Sequence, residues 1–221
     1  MVTIRRSVKY PESTDSYRIG QRPRVRVSIT DYGVGNLHSI RKALELAGAR
    51  PVVESNLRNL LDADVIVFPG VGAFDAAMSK LDRYRDIILD RLSAGTPCLG
   101  ICVGAQILFE GSEEGEIPGL GLIKGQVVRL PAKKVPHMGW NEVRTDDPMF
   151  KDVPSPYFYF AHSYYGRPEE DVVRGTTDYE GEFPSVFRKK NVLGVQFHPE
   201  KSSASGAAFL RNYVKYLEEK L

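Results

Sequence analysis

The sequence predicts an α/β fold: a central, mostly parallel sheet flanked by helices, with a smaller antiparallel β region in the C-terminal half. Three observations carry this. Short continuous apolar runs, Val65-Ile66-Val67-Phe68 and Pro97-Cys98-Leu99-Gly100-Ile101, have the character of strands buried on both faces. Segments with helical spacing of apolar residues lie between such runs, the alternation that crossover connections impose. In the second half, strand-like segments follow one another until a last helical stripe.

Taken in order, Val25, Val27 and Ile29 alternate with polar residues and form the first strand. A glycine-rich turn follows, Asp31-Tyr32-Gly33-Val34-Gly35-Asn36. Next comes a helix with Leu37, Ile40, Leu44 and Ala47 on one face and Gly48 as its stop. Pro51-Val52-Val53 gives a second strand, and Val65–Phe68 a third that ends at Pro69-Gly70. A helix covers about 84–94, with Ile87, Ile88 and Leu92 as its apolar residues. The run 97–101 is the next strand, and a helix from Val103 to about Phe109 follows it directly. Ile123–Leu130, Tyr157–Ala161, Ser185–Arg188 and Leu193–Phe197 read as strands, several of them antiparallel. Ala207, Leu210, Val214 and Leu217 stripe the closing helix. Residues 1–23 sustain no period and are interrupted by Pro11, Gly20 and Pro23. They are expected to be a disordered extension or the product of an upstream start codon, and 24–221 a single α/β domain.

Composition narrows the function classes. Apolar residues are 42% and charged residues 26% of the 221, ordinary for a globular chain. The net charge is +2, and residues 1–23 alone hold five basic against two acidic side chains. The rest is close to neutral with no basic stripe, which argues against nucleic-acid binding. No apolar run approaches the roughly 20 residues that span a bilayer, and the N-terminus has no apolar signal core. Cys98 and Cys102, the two cysteines, sit too close in sequence for a disulfide framework. His38, His137, His162 and His198 lack metal-ligand spacing. The expectation is a cytoplasmic protein with no metal and no cofactor.

The sharpest motif is Gly100-Ile101-Cys102-Val103-Gly104, where a buried strand meets a helix. This is the G-x-nucleophile-x-G elbow with cysteine as the nucleophile. The helix N-terminus favours a thiolate there. Cys98, in mid-strand, reads instead as packed core. A thiolate needs a base and a group that orients the base. Gln196-Phe197-His198-Pro199-Glu200 supplies both at a strand end, where open α/β sheets place their sites. Glu200 accepts from one ring nitrogen of His198 while the other faces Cys102. Acyl chemistry also needs oxyanion donors, and two sources are at hand. One is the Val103 N–H; the other is the loop Pro69-Gly70-Val71-Gly72, whose glycines allow close backbone approach.

With those residues in place, the chain resembles the class I (triad) glutamine amidotransferases. Among them it is similar to the glutaminase subunits of imidazole glycerol phosphate synthases. The matching segments are Asp31-Tyr32-Gly33 through Asn36, Phe68 through Gly72, Gly100 through Gln106, Pro136-His137-Met138-Gly139-Trp140-Asn141, His162-Ser163-Tyr164 and Gln196 through Ser202. The resemblance runs from about Arg24 to the C-terminus. It implies that Cys102 attacks the carboxamide of glutamine to form a thioester, that His198 protonates the departing ammonia and then activates water, and that Glu200 orients His198. It further implies Gly70, Val71, Gly72 and Val103 at the oxyanion, and Gln106, Glu114, Ser163 and Tyr164 at the substrate. A (β/α)8-barrel cyclase subunit would be the partner in a heterodimer, met through Trp140, Asn141, Tyr159 and Lys201. That subunit would use the ammonia to form imidazole glycerol phosphate and an aminoimidazole carboxamide ribonucleotide. The alternative is a class I glutaminase serving an anthranilate or guanylate type of synthase. Those relatives usually carry a different loop in place of Pro69–Gly72. A cysteine peptidase or thiol stress protein would tend to place histidine directly after the nucleophile, where Val103 stands here.

Overall fold

The computed structural model describes residues 25–33 and 36–221. The expectations for residues 1–23, and for Val34 and Gly35 of the glycine-rich turn, lie outside the described residues. The first half runs β1 (Arg26–Thr30), α1 (Leu37–Leu46), β2 (Arg50–Glu54), β3 (Ile66–Phe68), α2 (Phe74–Leu81), α3 (Arg85–Ala94), β4 (Cys98–Ile101) and α4 (Val103–Gln106). The strands β5 (Phe109–Ser112), β6 (Ile123–Arg129), β7 (His137–Glu142), β8 (Arg144–Thr145) and β9 (Tyr157–His162) follow. Then come β10 (Tyr164–Pro168), β11 (Val173–Asp178), β12 (Glu182–Lys189), β13 (Val192–Val195) and the closing α5 (Ser203–Lys220).

The main sheet has the order β2-β1-β3-β4-β13-β12-β11-β8. Its first five strands are mutually parallel, and β12, β11 and β8 extend it antiparallel. Burial on both faces explains the apolar runs. In β3, Val67 joins the core that also holds Val27, Leu99, Phe158 and Phe209. Its neighbours Ile66 and Phe68 join the opposite core with Phe74, Ile88 and Phe109. Strand alternation therefore sends successive side chains into two different cores.

Local chemistry sets the helix ends. The Asn36 side chain caps α1 by accepting from the Ser39 N–H, and Ile40 and Leu44 face inward. Gly95, at φ 111°, ends α3 in the left-handed conformation. In α3 the buried residues are Ile88 and Leu92, while Ile87 is exposed. In α5 the expected Leu210, Val214 and Leu217 are all buried.

One reading is revised by pairing. The helix after Cys102 spans a single turn rather than reaching Phe109, because Phe109 begins β5 and pairs with Ile123 of a second sheet, β10-β6-β5. The expected strand Leu193–Phe197 is β13, which joins the two parts of the sheet by pairing parallel with β4 and antiparallel with β12. The helix Phe74–Leu81 and the strands β5, β7, β8, β10 and β11 add to the expected elements. A separate antiparallel pair, β7 and β9, sets Trp140 opposite Tyr159 and His137 opposite His162.

Candidate active site

The site begins with the register of two adjacent parallel strands. β4 and β13 pair Ile101 with Val195, and the Cys102 N–H donates to the Val195 carbonyl at 2.7 Å. Residues just past both strand ends, Cys102 on one and Gln196 to His198 on the other, must therefore meet at one edge. Cys102 sits at φ 49°, ψ −111°, a conformation that costs a non-glycine residue about 1–3 kcal/mol. Two glycines make that bend feasible. A Cβ on Gly104 would lie 2.0 Å from the Phe68 carbonyl oxygen, and one on Gly70 would lie 1.9 Å from that of Ile101. The ends of β3 and β4 thus approach more closely than any side chain permits.

His198 follows β13 on a turn fixed from both sides. Its N–H donates to the Tyr159 carbonyl at 2.8 Å, and its carbonyl accepts from the Ser202 hydroxyl at 2.6 Å. Nδ1 of His198 lies 2.9 Å from Oε1 of Glu200. The Cys102 side chain interacts electrostatically with the same imidazole, and the two residues line one cavity. His198 and the Glu200 side chain are almost wholly buried. Burial by itself would lower the pKa of His198. The Cys102 sulfur and then Glu200 outweigh it and push the imidazole up to about 10. A protonated His198 is therefore the stable form at neutral pH.

A cavity of about 220 Å³ opens over the sulfur. That is below the roughly 300–1,000 Å³ of drug-sized sites and suits one small metabolite. Its lining includes Gly70, Val71, Gly72 and Val103, together with Gln106, Glu114, Ser163, Tyr164 and Lys201. The hydroxyl of buried Tyr32 donates to the Pro69 carbonyl and so holds the start of the Gly70–Gly72 loop. Among the described residues, no group of three or more His, Cys, Asp or Glu could hold a metal ion. No helix among them is long and apolar enough to cross a membrane.

Comparison with known proteins adds the family. The family model described as glutamine amidotransferase class-I matches residues 28–216. The chain belongs to the class-I glutamine amidotransferase family. A Thermococcus kodakarensis protein named imidazole glycerol phosphate synthase subunit HisH is 47% identical over 85% of this chain and 98% of its own length. The Methanocaldococcus jannaschii protein of the same name is 46% identical over 86% of this chain and 100% of its own. Within the amidotransferases, then, the chain belongs with the HisH subunits. A solved structure of PurLQS from Thermotoga maritima superposes with a TM-score of 0.67. At 20% identity, covering 88% of this chain and 100% of that one, it shows a shared fold.

In this amidotransferase the remaining expected residues are placed as follows. Gln106 donates from Nε2 to the Tyr164 carbonyl at 2.7 Å and to Oε1 of Gln196 at 3.2 Å. Glu114 lies at the rim of the cavity, and Oε2 accepts from the Phe74 N–H at 2.9 Å. It thereby caps α2, whose own cap residue, Ala73, has no side chain able to do so. Trp140 is exposed on β7, its ring edge-on to Tyr159 at 6.3 Å, and Lys201 Nζ lies 5.8 Å from the Tyr159 ring centroid. Those three form a continuous path from the outer face of β7 and β9 to the cavity. The Asn141 side chain belongs to the opposite face of β7 and donates to the Asp178 carbonyl at 2.8 Å.

Three site residues escaped the sequence reading. Gln196 donates to Cys102 Sγ at 3.5 Å, Ser202 fixes the His198 turn, and His162 lines the cavity beside His198. Gln196 and Ser202 are wholly buried polar residues, but burial is not visible in a polar letter. Strand parity gives the one available signal for His162: it shares a face with buried Phe158 and Phe160.

Proposed function

We propose that this chain is the glutaminase subunit of an imidazole glycerol phosphate synthase. The observation that supports it most is the reach of His198 between Glu200 and the strained Cys102, across the paired ends of β4 and β13. The Cys102 thiolate attacks the side-chain carboxamide carbon of glutamine. The oxygen of the tetrahedral intermediate is held by N–H groups of the Gly70–Gly72 loop and of Val103, which an α-helix's first turn leaves without an intrahelical partner. His198 gives its proton to the nitrogen as the C–N bond breaks, so ammonia leaves and a thioester remains. Neutral His198 then takes a proton from water, hydroxide adds to the thioester, and glutamate and the Cys102 sulfur are released. Glu200 holds the ring through Nδ1 in both steps. Gln106, Glu114, Ser163 and Tyr164 position the amino acid.

The ammonia passes to a cyclase subunit docked over Trp140, Tyr159 and Lys201, forming a heterodimer in the cytoplasm; Asn141, expected at that interface, instead holds the opposite face of β7 to the Asp178 carbonyl. Residues 24–221 constitute the amidotransferase domain. The identity with HisH proteins favours this reading over an anthranilate or guanylate type of synthase. The test is reconstitution with a cyclase subunit. Cys102→Ala should reduce glutamine-dependent formation of imidazole glycerol phosphate by at least about 10³-fold, while synthesis from ammonium salts persists. Glutamine-dependent turnover at the wild-type rate in the variant would remove the nucleophile assignment.

A further inference from the structure

Two histidines that the triad does not use sit back to back beneath β7 and β9. His137 and His162 are both buried, and His137 Nδ1 lies 3.0 Å from His162 Nε2. At the inner end, His162 Nδ1 lies 2.9 Å from the Tyr164 carbonyl oxygen. At the outer end, Asn141 Nδ2 lies 3.3 Å from His137 Nε2. The Asn141 amide cannot be turned over, because its Oδ1 accepts from the Glu142 N–H at 2.7 Å and its Nδ2 donates to the Asp178 carbonyl.

Elementary donor and acceptor chemistry now fixes every proton. A carbonyl only accepts, so His162 carries its hydrogen on Nδ1 and presents a lone pair at Nε2. His137 must then donate from Nδ1, which leaves Nε2 to accept from the Asn141 amide. Both rings are neutral Nδ1–H tautomers, and the bonds run in one direction from Asn141 to Tyr164. Charging either ring would set an N–H against another N–H. Burial, the largest cause for each, agrees: it lowers His162 to about 3 and His137 to about 4. The His137 ring also stacks on Tyr179, with centroids 4.0 Å apart, and on Phe160 at 4.8 Å.

The line continues to the nucleophile. The Tyr164 carbonyl also accepts from Gln106, Gln106 donates to Gln196, and Gln196 donates to Cys102 Sγ. We propose that His137 and His162 are positioning residues of the glutamine site. As a proton-ordered neutral pair they fix the Tyr164 peptide and, through Gln106 and Gln196, the Cys102 sulfur, and they tie both to the strand whose other face carries Trp140.

This deepens the glutaminase reading and rests on it for its kinetic arm alone. The first arm is NMR of the ¹⁵N-histidine-labelled full chain at pH 7. The expected result is two imidazoles with pyrrole-type Nδ1 and pyridine-type Nε2, joined by a scalar coupling across the N–H···N bond. Nε2–H tautomers for this pair, or a charged ring, would overturn the proposal. The second arm compares two amides, with the cyclase partner present. His162→Asn keeps an N–H donor where Nδ1 was, whereas His162→Gln moves it to where Nε2 was. Losing the bond to Tyr164 should raise KM for glutamine about tenfold in His162→Gln, the equivalent of one buried hydrogen bond. His162→Asn should stay within about threefold, less than one such bond. Equal effects of the two variants, or a fall in kcat alone, would count against it. Should a variant fail to fold, the wild-type coupling decides. If the wild-type protein hydrolyses no glutamine, the functional reading fails while the NMR result stands or falls separately.

Discussion

Acidification tests the neutral histidine pair through stability, without reference to catalysis. The group to follow is His162, which burial holds at about 3 in the folded protein. In the unfolded chain a histidine titrates near 6.5. Between those values the unfolded state binds a proton that the folded state refuses. Stability therefore falls as pH drops through this window, with a slope approaching about 1.4 kcal/mol per pH unit. Going from pH 7.5 to 5.0 covers about 1.5 units below the unfolded pKa, so His162 alone removes about 2 kcal/mol. His137, held at about 4, acts in the same direction. His198 acts oppositely: its pKa is raised, so the stability from its pairing is complete below about 6.5 and is lost as pH climbs through about 10. The groups facing His162 are His137, Tyr164 and His198, and all three remain in His162→Asn. The assay is urea unfolding of wild type and His162→Asn at several pH values from 7.5 to 5.0. The variant starts less stable but has no proton to refuse at this position, so the gap should close by about 2 kcal/mol at pH 5.0. Parallel curves would mean that His162 takes up a proton in the folded state, and the donor order from Asn141 to Tyr164 would be wrong.

Two further substitutions probe the frame around the site. Gly104→Ala places a Cβ 2.0 Å from the Phe68 carbonyl, so the elbow must open. It should cost about 2 kcal/mol or more by thermal or urea unfolding and suppress glutaminase activity; a fully active, equally stable variant would contradict the packing account. Arg188→Met strips the buried Asp147 of a two-pronged ion pair, with both contacts at 2.6 Å. It should destabilise by about 3–5 kcal/mol in urea, and adding Asp147→Asn should restore part of the loss, because the penalty is an uncompensated buried charge.

What could be read from the sequence divides along physical lines. The two-faced burial of Val65–Phe68 and the elbow at Cys102 are local, since each is set by a few consecutive residues and their period. Helix Phe74–Leu81 is local as well: Phe74, Ala77, Met78 and Leu81 keep the one-face spacing and are all buried. The strand order is not local. A four-residue apolar run such as Val192–Val195 carries no mark of which strand it will join. Yet its parallel pairing with β4 is what brings His198 to Cys102. Helix α4 stops early for a similar reason: Phe109 is drawn into a sheet by Ile123, and nothing in Val103–Phe109 announces that partner. β7 is masked by its use. Met138 and Trp140 stand exposed on one face and Gly139 interrupts the other, so the alternation that marks a half-buried strand is reversed in sense.

The chemistry around the sulfur turns on which charges each nearby imidazole meets, the Cys102 sulfur first and then the group at Nδ1. His198 and His162 are both buried, and both are tied to Cys102, one directly and one through Tyr164, Gln106 and Gln196. At Nδ1 of His198 stands the Glu200 carboxylate, a full charge that stabilises an imidazolium. At Nδ1 of His162 stands the Tyr164 carbonyl, a dipole too weak to offset burial, with a second imidazole behind it in place of an anion. A second imidazolium at His162 would also repel the first at His198, and His198 in turn lowers His162. His198 thus has the Cys102 sulfur and the Glu200 carboxylate to favour its charged form, whereas His162 has only a carbonyl and a second imidazole. The histidine that meets a carboxylate can carry the proton that ammonia needs on leaving. The histidine that meets a carbonyl stays neutral and can only hold its neighbours in place.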